Sequence, residues 1–301
     1  MPAEGIPLLP KSHLMTADEI FGLAKLFVGL GVTKIRLTGG EPLVRKDFEA
    51  IVRKLSLLPV EIAITTNGIL LDKYLSLFEE LNITNITISL DSLDNAKNTA
   101  ITRRNYFDKV KSNIELLKNQ VSTVKINVVL LKNKNDTEIV DFIKLSQKEN
   151  FIIRFIEFMP FDGNAWDNKQ LVSKKYILNE VEKYFGKNRL CRLTDAPNDT
   201  ARNYKITDFK GSFAIISSVT NPFCDTCNRI RLTADGQVKN CLFSTYETDI
   251  LTPYRNGENI IPLLENSLKN KKETRGGMDN WEKLNDPKMH SQNRSMIAIG
   301  G

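Results

Sequence analysis

Residues 34–42 read Lys34-Ile35-Arg36-Leu37-Thr38-Gly39-Gly40-Glu41-Pro42. Lys34, Arg36 and Thr38 alternate with Ile35 and Leu37, the two-residue period of a strand with unlike faces. The aliphatic pair suits a layer of helices, which turns Arg36 to the other face. The strand Lys34–Thr38 then runs into two glycines, which let a backbone turn sharply and approach a ligand closely. βα enzymes place their sites at this end of their strands. Gly-Gly alone is neither a P-loop nor a dinucleotide fingerprint, because no Lys-Ser/Thr follows and the glycine spacing is wrong.

Working outward, the same unit repeats. Upstream, Thr16-Ala17-Asp18-Glu19 has capping-box spacing, and Ile20, Leu23, Ala24, Phe27 and Leu30 recur with helical period until Gly31. Downstream, a helix around Phe48, Ile51, Val52 and Leu55 leads to a strand Glu61–Thr65 closed by Thr66-Asn67-Gly68. Helix-then-strand units follow, with strands Asn85–Leu90, Val124–Leu131 and Ile152–Phe158 ending near Ser89-Leu90-Asp91, Leu131 and Met159-Pro160. Strands separated by helix-length periods predict an α/β fold with a parallel sheet. The series opens with a loop and a helix, so a βα barrel built from it is expected to lack its first strand. Lys125 and Asn127 share one face of their strand. A buried cation needs a partner, so Arg36 and Lys125 facing a lumen point to an anionic ligand. A pair of surface strands with a snorkelling lysine is the competing reading.

After Pro160 the pattern changes, which divides the chain into residues 1–165 and 166–301. Ser173–Phe185 reads as a helix with Tyr176, Ile177, Val181 and Tyr184 inward. Short strands follow at Tyr204–Ile206, Phe213–Ser217, Arg229–Thr233 and Val238–Leu242, with Asp235-Gly236 as a hairpin turn between the last two. The basic run Lys269–Lys272 reads as a solvated helix end.

The balance of 42 Lys+Arg against 36 Asp+Glu leaves +6, spread along the chain, which fits a solvated surface better than a nucleic-acid groove. No apolar stretch approaches the ~18 residues of a membrane span, and no basic-then-apolar pattern opens the chain. Two histidines, His13 and His290, disfavour His-driven chemistry. The four cysteines, Cys191, Cys224, Cys227 and Cys241, all lie in the last third. That excludes a disulfide scaffold. Cys224-x2-Cys227-x13-Cys241 spans the predicted hairpin, which can gather three soft thiolates for zinc or for an iron–sulfur cluster. Zinc would want a fourth ligand, Cys191 or His290; a cluster on three cysteines leaves one iron open. Spacing does not choose between them. Arg229 and Arg231, two apart on a strand, form a fork for phosphate or carboxylate beside the metal, or simply two exposed arginines.

Taken together, Thr38-Gly39-Gly40-Glu41-Pro42, Thr65-Thr66-Asn67-Gly68, Ser89-Leu90-Asp91, Cys224-Asp225-Thr226-Cys227-Asn228-Arg229-Ile230-Arg231 and the terminal Gly300-Gly301 resemble the molybdenum cofactor biosynthesis protein A family. These are radical S-adenosylmethionine enzymes, GTP 3′,8-cyclases, and the resemblance runs over essentially the whole chain. Phe158-Met159-Pro160-Phe161-Asp162-Gly163-Asn164 is similar to the eukaryotic members, which implies the mitochondrial matrix. The resemblance implies an incomplete (β/α)6 barrel closed by a C-terminal segment with a second [4Fe–4S] cluster on Cys224, Cys227 and Cys241, its open iron touching guanine. It implies GTP on Arg36, Thr66, Lys125, Arg229 and Arg231, and S-adenosylmethionine on Gly40, Ser89 and Met159. It implies that Arg231 assists catalysis and that Gly300-Gly301 reaches the active site. Cys191 is then a bystander.

By the same resemblance GTP becomes 3′,8-cyclo-7,8-dihydro-GTP, and cyclic pyranopterin monophosphate synthase acts downstream. The resemblance implies neither a nucleic-acid nor a membrane partner, and it admits a homodimer. The family's first cluster uses a Cys-x3-Cys-x2-Cys motif ending just before the Met-Pro at which this sequence starts. The 301 residues are therefore expected to hold about one cluster and to be inactive alone. Arg275-Gly276-Gly277-Met278 stands where relatives often have His-Ala-Gly-Met. A non-catalytic GTP-binding isoform of the same fold and a zinc-stabilised binding module are the alternatives. A ubiquitin-like activation tail at Gly300-Gly301 is a third, against which the chain length stands.

Overall fold

The computed structural model describes residues 10–299, and Met1–Leu9 and the Gly300-Gly301 tail lie outside the described residues. Two compact units form: residues 1–62, 160–166 and 227–301, and residues 63–159 and 167–226. Contacts thus divide the chain differently from a single cut after 165, because strands from beyond 166 join the sheet begun before it.

The second unit is a mostly parallel sheet. Strands β2 (Glu61–Thr66, most of it here), β3 (Asn85–Ser89), β4 (Val124–Leu130), β5 (Phe151–Glu157) and β8 (Ser212–Ile216) run parallel in that order. β7 (Arg202–Ile206) and β6 (Leu190–Arg192) then add antiparallel at the edge. Helices α3 (Leu75–Glu80), α4 (Asn95–Thr102), α5 (Phe107–Lys118), α6 (Ile139–Leu145) and α7 (Lys174–Phe185) connect them. β4 and β5 alternate buried with half-buried residues along their whole length. The buried set, Ile126, Val128, Ile153 and Phe155, joins Phe142 of α6 and Phe213 of β8 in the core. The half-buried set carries Lys125, Asn127 and Arg154. Two predicted details change. Leu190–Arg192 is a strand the period did not disclose, and Tyr184 is 58% exposed rather than inward. Its ring lies under the Lys144 ammonium, 4.6 Å away, which offers it a partner outside the core.

The first unit holds α1 (Ala17–Gly29), β1 (Lys34–Leu37) and α2 (Phe48–Leu55) from the start of the chain. From its end come a sheet of β9 (Arg231–Leu232), β10 (Gln237–Lys239) and β11 (Thr248–Asp249), and helices α8 (Leu251–Arg255) and α9 (Ile261–Lys269). The capping box forms as predicted: Glu19 N–H donates to Thr16 Oγ1 at 3.2 Å, and Thr16 N–H to Glu19 Oε2 at 2.7 Å. Leu23 and Phe27 of α1 pack with Val238, Ile250, Leu251, Ile260 and Leu264, and Ile230 and Leu232 lie against that core. The β9–β10 hairpin turns at Gly236, with φ 74° and the space of a Cβ already filled by Leu251, 2.2 Å away. No helix among the described residues is long and apolar enough to cross a membrane.

Candidate functional site

In the first unit, the apolar alternation of the hairpin aims its cations. Ile230 and Leu232 go to the core, so Arg229 and Arg231 fall on the opposite side. Regular pairing starts only at Arg231, opposite Lys239, so the predicted strand from Arg229 to Thr233 is shorter than its pattern. Arg229 is exposed and Arg231 half-buried. Desolvation lowers the Arg231 pKa, the Arg229 charge adds to that, and the thiols of Cys241 and Cys227 oppose it. No carboxylate or other hydrogen-bond partner meets the Arg231 guanidinium among the described residues. Arg36, on the face of β1 away from Ile35 and Leu37, is reached by solvent. Desolvation by the surrounding protein still lowers its pKa, with Glu61 opposing and Arg229 adding to the effect. Arg229 thus bears on both Arg36 and Arg231, a cation arrangement that an anion relieves. Gly39 and Gly40 take φ of 87° and 49°, the left-handed region glycine occupies at no cost, and Glu41 caps the turn that follows by accepting Leu43 N–H at 3.1 Å.

None of the four cysteines forms a disulfide among the described residues; Cys224, Cys227 and Cys241 are half-buried and Cys191 is exposed. Cys191 Sγ sits 3.6 Å from the Thr207 hydroxyl. Cys227 precedes Arg231 by four residues and Cys241 follows Lys239 by two, and Lys239 pairs with Arg231. A turn closes behind Cys241, with Ser244 N–H donating to its carbonyl at 3.2 Å. Thiols are the donors that a thiophilic metal or cluster takes. Among the described residues no group of three or more His, Cys, Asp or Glu is already gathered to hold a metal. His290, a zinc-ligand candidate from sequence, is buried with Nε2 2.7 Å from the Leu284 carbonyl and Trp166 edge-on to its ring. Arg275 is buried and donates to the carbonyls of Met278 at 2.8 Å and Asp279 at 3.0 Å.

In the second unit the register places Ser89 opposite Asn127 and Asn127 opposite Arg154, with Lys125 opposite Thr87. Ser89, Asn127 and Arg154 therefore stand side by side across β3, β4 and β5 as one polar row. Lys125 Nζ donates to Asn85 Oδ1 at 2.9 Å. Asn127 Oδ1 is buried without a hydrogen-bond partner, a polar atom left for something to meet. Thr66 pairs with Ile88, on the other face from this row, and its hydroxyl accepts Gly68 N–H at 3.0 Å. Met159 follows β5, half-buried. Two residues that sequence reasoning passed over stand out. Asp91, just beyond Ser89, has its pKa pushed up to about 6 by burial while accepting Val129 N–H at 2.9 Å. Glu157 holds the loop that leads to Cys224. The run Ser89-Leu90-Asp91 carried a signal for the first; nothing local marked the second.

Residues 4–146 match the Radical SAM superfamily model, which sets the class, and residues 151–276 match Molybdenum Cofactor Synthesis C. A mitochondrial GTP 3′,8-cyclase from Arabidopsis thaliana is 43% identical over 307 residues, covering 100% of this chain and 76% of that one. The GTP 3′,8-cyclase of Thermodesulfovibrio yellowstonii is 39% identical, covering 89% and 84%. The chain belongs to the GTP 3′,8-cyclase family of molybdenum cofactor biosynthesis. Molybdenum cofactor biosynthesis protein moc-5 of Caenorhabditis elegans is 44% identical over 90% of this chain but only 46% of its own length, so the chain spans less than half of that relative.

Proposed function

We propose that these residues form the GTP-binding part of a mitochondrial-matrix GTP 3′,8-cyclase. The observation that carries the reading is Arg231, desolvated, beside Arg229 and within electrostatic reach of the Cys227 and Cys241 thiols. The parallel strands belong to a (β/α)6-type barrel, and residues 166–301, which add β6, β7 and β8 to that sheet, form the C-terminal segment. Cys224, Cys227 and Cys241 would hold the [4Fe–4S] cluster that the resemblance implies. Arg36, Arg229, Arg231, Lys125 and Thr66 are the GTP-contacting positions by resemblance, Thr66 standing on the sheet face opposite Lys125; Gly300-Gly301 lies outside the described residues. Gly40, Ser89 and Met159 hold S-adenosylmethionine, which when bound supplies the radical chemistry that starts cyclisation. The chain's own part is positioning and electrostatics. Arg231 keeps a fixed positive charge beside the nucleotide as electron density shifts toward the guanine. The cyclic product passes to cyclic pyranopterin monophosphate synthase, and the protein assembles as a homodimer.

GTP binding is the direct test of this reading. Calorimetry of the anaerobically reconstituted chain should show GTP binding that weakens about tenfold or more in Arg231→Leu, since 1.4 kcal/mol is a factor of ten. No GTP binding, or equal affinity in Arg231→Leu, Arg229→Leu and wild type, would overturn the reading.

A further inference from the structure

β9 is the edge strand of its sheet, and it pairs with β10 only through Val238 opposite Leu232 and Lys239 opposite Arg231. A pairing that short holds a strand weakly, so the strand that carries Arg231 depends on what grips the hairpin at its ends. One residue of the first unit grips both. Arg294 lies just past the short helix Pro287–Ser291. One of its guanidinium nitrogens donates to both oxygens of Asp235, in the hairpin turn, each at 2.9 Å. The other terminal nitrogen lies 2.7 Å from Glu247 Oε2. The second oxygen of Glu247 accepts from the Lys239 ammonium at 3.1 Å, and Lys239 is the residue opposite Arg231. The Lys239 side chain is fully buried and also donates to the Ser244 carbonyl and, at 3.0 Å, to Asn293 Oδ1. Asn293 in turn donates to the Leu242 carbonyl at 3.0 Å. A buried ammonium stands only with partners, and these two cations face two carboxylates, so their charges balance. Arg294 spends its fork on those carboxylates, which a lysine, a point charge, could not bridge in the same way.

We infer that Arg294 is a positioning residue for the arginine fork: by bridging Asp235 and Glu247 it braces both ends of the β9–β10 hairpin and so holds Arg231 in place for an anion. The inference rests on the GTP-binding reading of Arg229 and Arg231. Arg294 then acts through the hairpin and not on the nucleotide. An arginine that met the nucleotide itself would add its loss to that of Arg231. One that merely held the unit together would do no more to affinity than any other loss of stability.

Variants of the full chain separate these cases through two readouts, amide hydrogen exchange without nucleotide and calorimetry with GTP. In Arg294→Leu the amides of residues 231–239 should exchange about tenfold faster while those of β4 keep their rates. GTP affinity should fall about tenfold in Arg294→Leu, yet by no more than about twofold further when the change is added to Arg231→Leu. Arg294→Lys, the milder variant, keeps the charge without the bridge and should fall between Arg294→Leu and wild type in both readouts. Thr16→Ala, which weakens the cap of α1 in the same unit, should bind GTP as wild type does. Hairpin exchange unchanged in both Arg294 variants would overturn the inference. So would a full further loss in the double variant, which would put Arg294 on the nucleotide, or an equal loss in Thr16→Ala. GTP bound equally by wild type and both Arg294 variants would overturn the inference alone. A wild-type chain that binds no GTP would overturn the reading, and the inference with it.

Discussion

The carboxylate of Glu157, the last residue of β5, accepts the backbone N–H of Thr220 at 2.9 Å, together with the Thr220 hydroxyl and the Val219 N–H at 2.8 Å. One buried side chain thereby ties down the loop four residues ahead of Cys224, and its burial raises its own pKa against the pull of those bonds. Glu157→Ala leaves two amide donors without a partner and should cost about 3 kcal/mol, read by denaturant unfolding. It should also speed alkylation of Cys224, followed by mass spectrometry, while Cys191 labels at its original rate. Unchanged labelling at Cys224 would separate the loop from the carboxylate.

Asp91 gives a signed pH dependence. Burial lifts its carboxyl from 3.8 to about 6, so the folded chain binds this proton more tightly than the unfolded chain does. The contribution to stability is complete below the unfolded value and is lost as pH rises through the folded one. Asp91→Asn stays neutral and can still accept from Val129. Its stability relative to wild type should therefore rise between about pH 4 and about pH 6 and then level off. A difference that does not change with pH would contradict this.

Glu19 shows the opposite sign. Its hydrogen bond to Arg255 is the main cause that lowers its pKa from 4.5 to about 2. That stabilisation is present above the unfolded value and is lost as pH falls through the folded one. Arg255→Met should return the Glu19 titration, followed by carboxyl NMR, toward its ordinary value. Thr16→Ala, which removes the other half of the capping box, should cost about 1 kcal/mol.

Glycines separate by what surrounds them. A Cβ at Gly211 would lie 2.2 Å from the Phe151 carbonyl oxygen and 2.7 Å from its nitrogen, backbone atoms of β5. Gly211→Ala should destabilise by about 1–3 kcal/mol. Gly29, the last residue of α1, meets nothing within 4 Å and has no positive φ. Gly29→Ala should be neutral or stabilising by about 0.5 kcal/mol. Thermal melts of the two variants should move in different directions or by clearly different amounts.

The parallel strands, the capping box at Thr16 and the hairpin turn at Asp235-Gly236 were legible in the sequence because each is written in a few neighbouring residues. Strand period also disclosed the polar face of β4, with Lys125 and Asn127 on it. What was not legible depends on partners far along the chain. Glu157 and Thr220 are 63 residues apart, and Lys271 and Cys227 are 44 apart. A lysine in a basic run looks solvated until the fold brings carbonyls to it. Leu190–Arg192 became a strand only because β7 offered an edge to pair with. The side of Thr66 turned on register: the two-residue period offers Thr65 and Thr66 equally, and it is the pairing of Thr65 with Thr87 that leaves Thr66 on the opposite face.

The apolar packing of Ile230 and Leu232 has a genetic consequence. Those side chains carry no charge and touch no ligand, yet they are the fulcrum on which Arg229 and Arg231 are levered outward. Trimming Leu232 to Ala is expected to loosen the strand that carries the fork. On the GTP-binding reading proposed above, changes at aliphatic hairpin positions would sort with arginine changes in a collection of loss-of-function alleles.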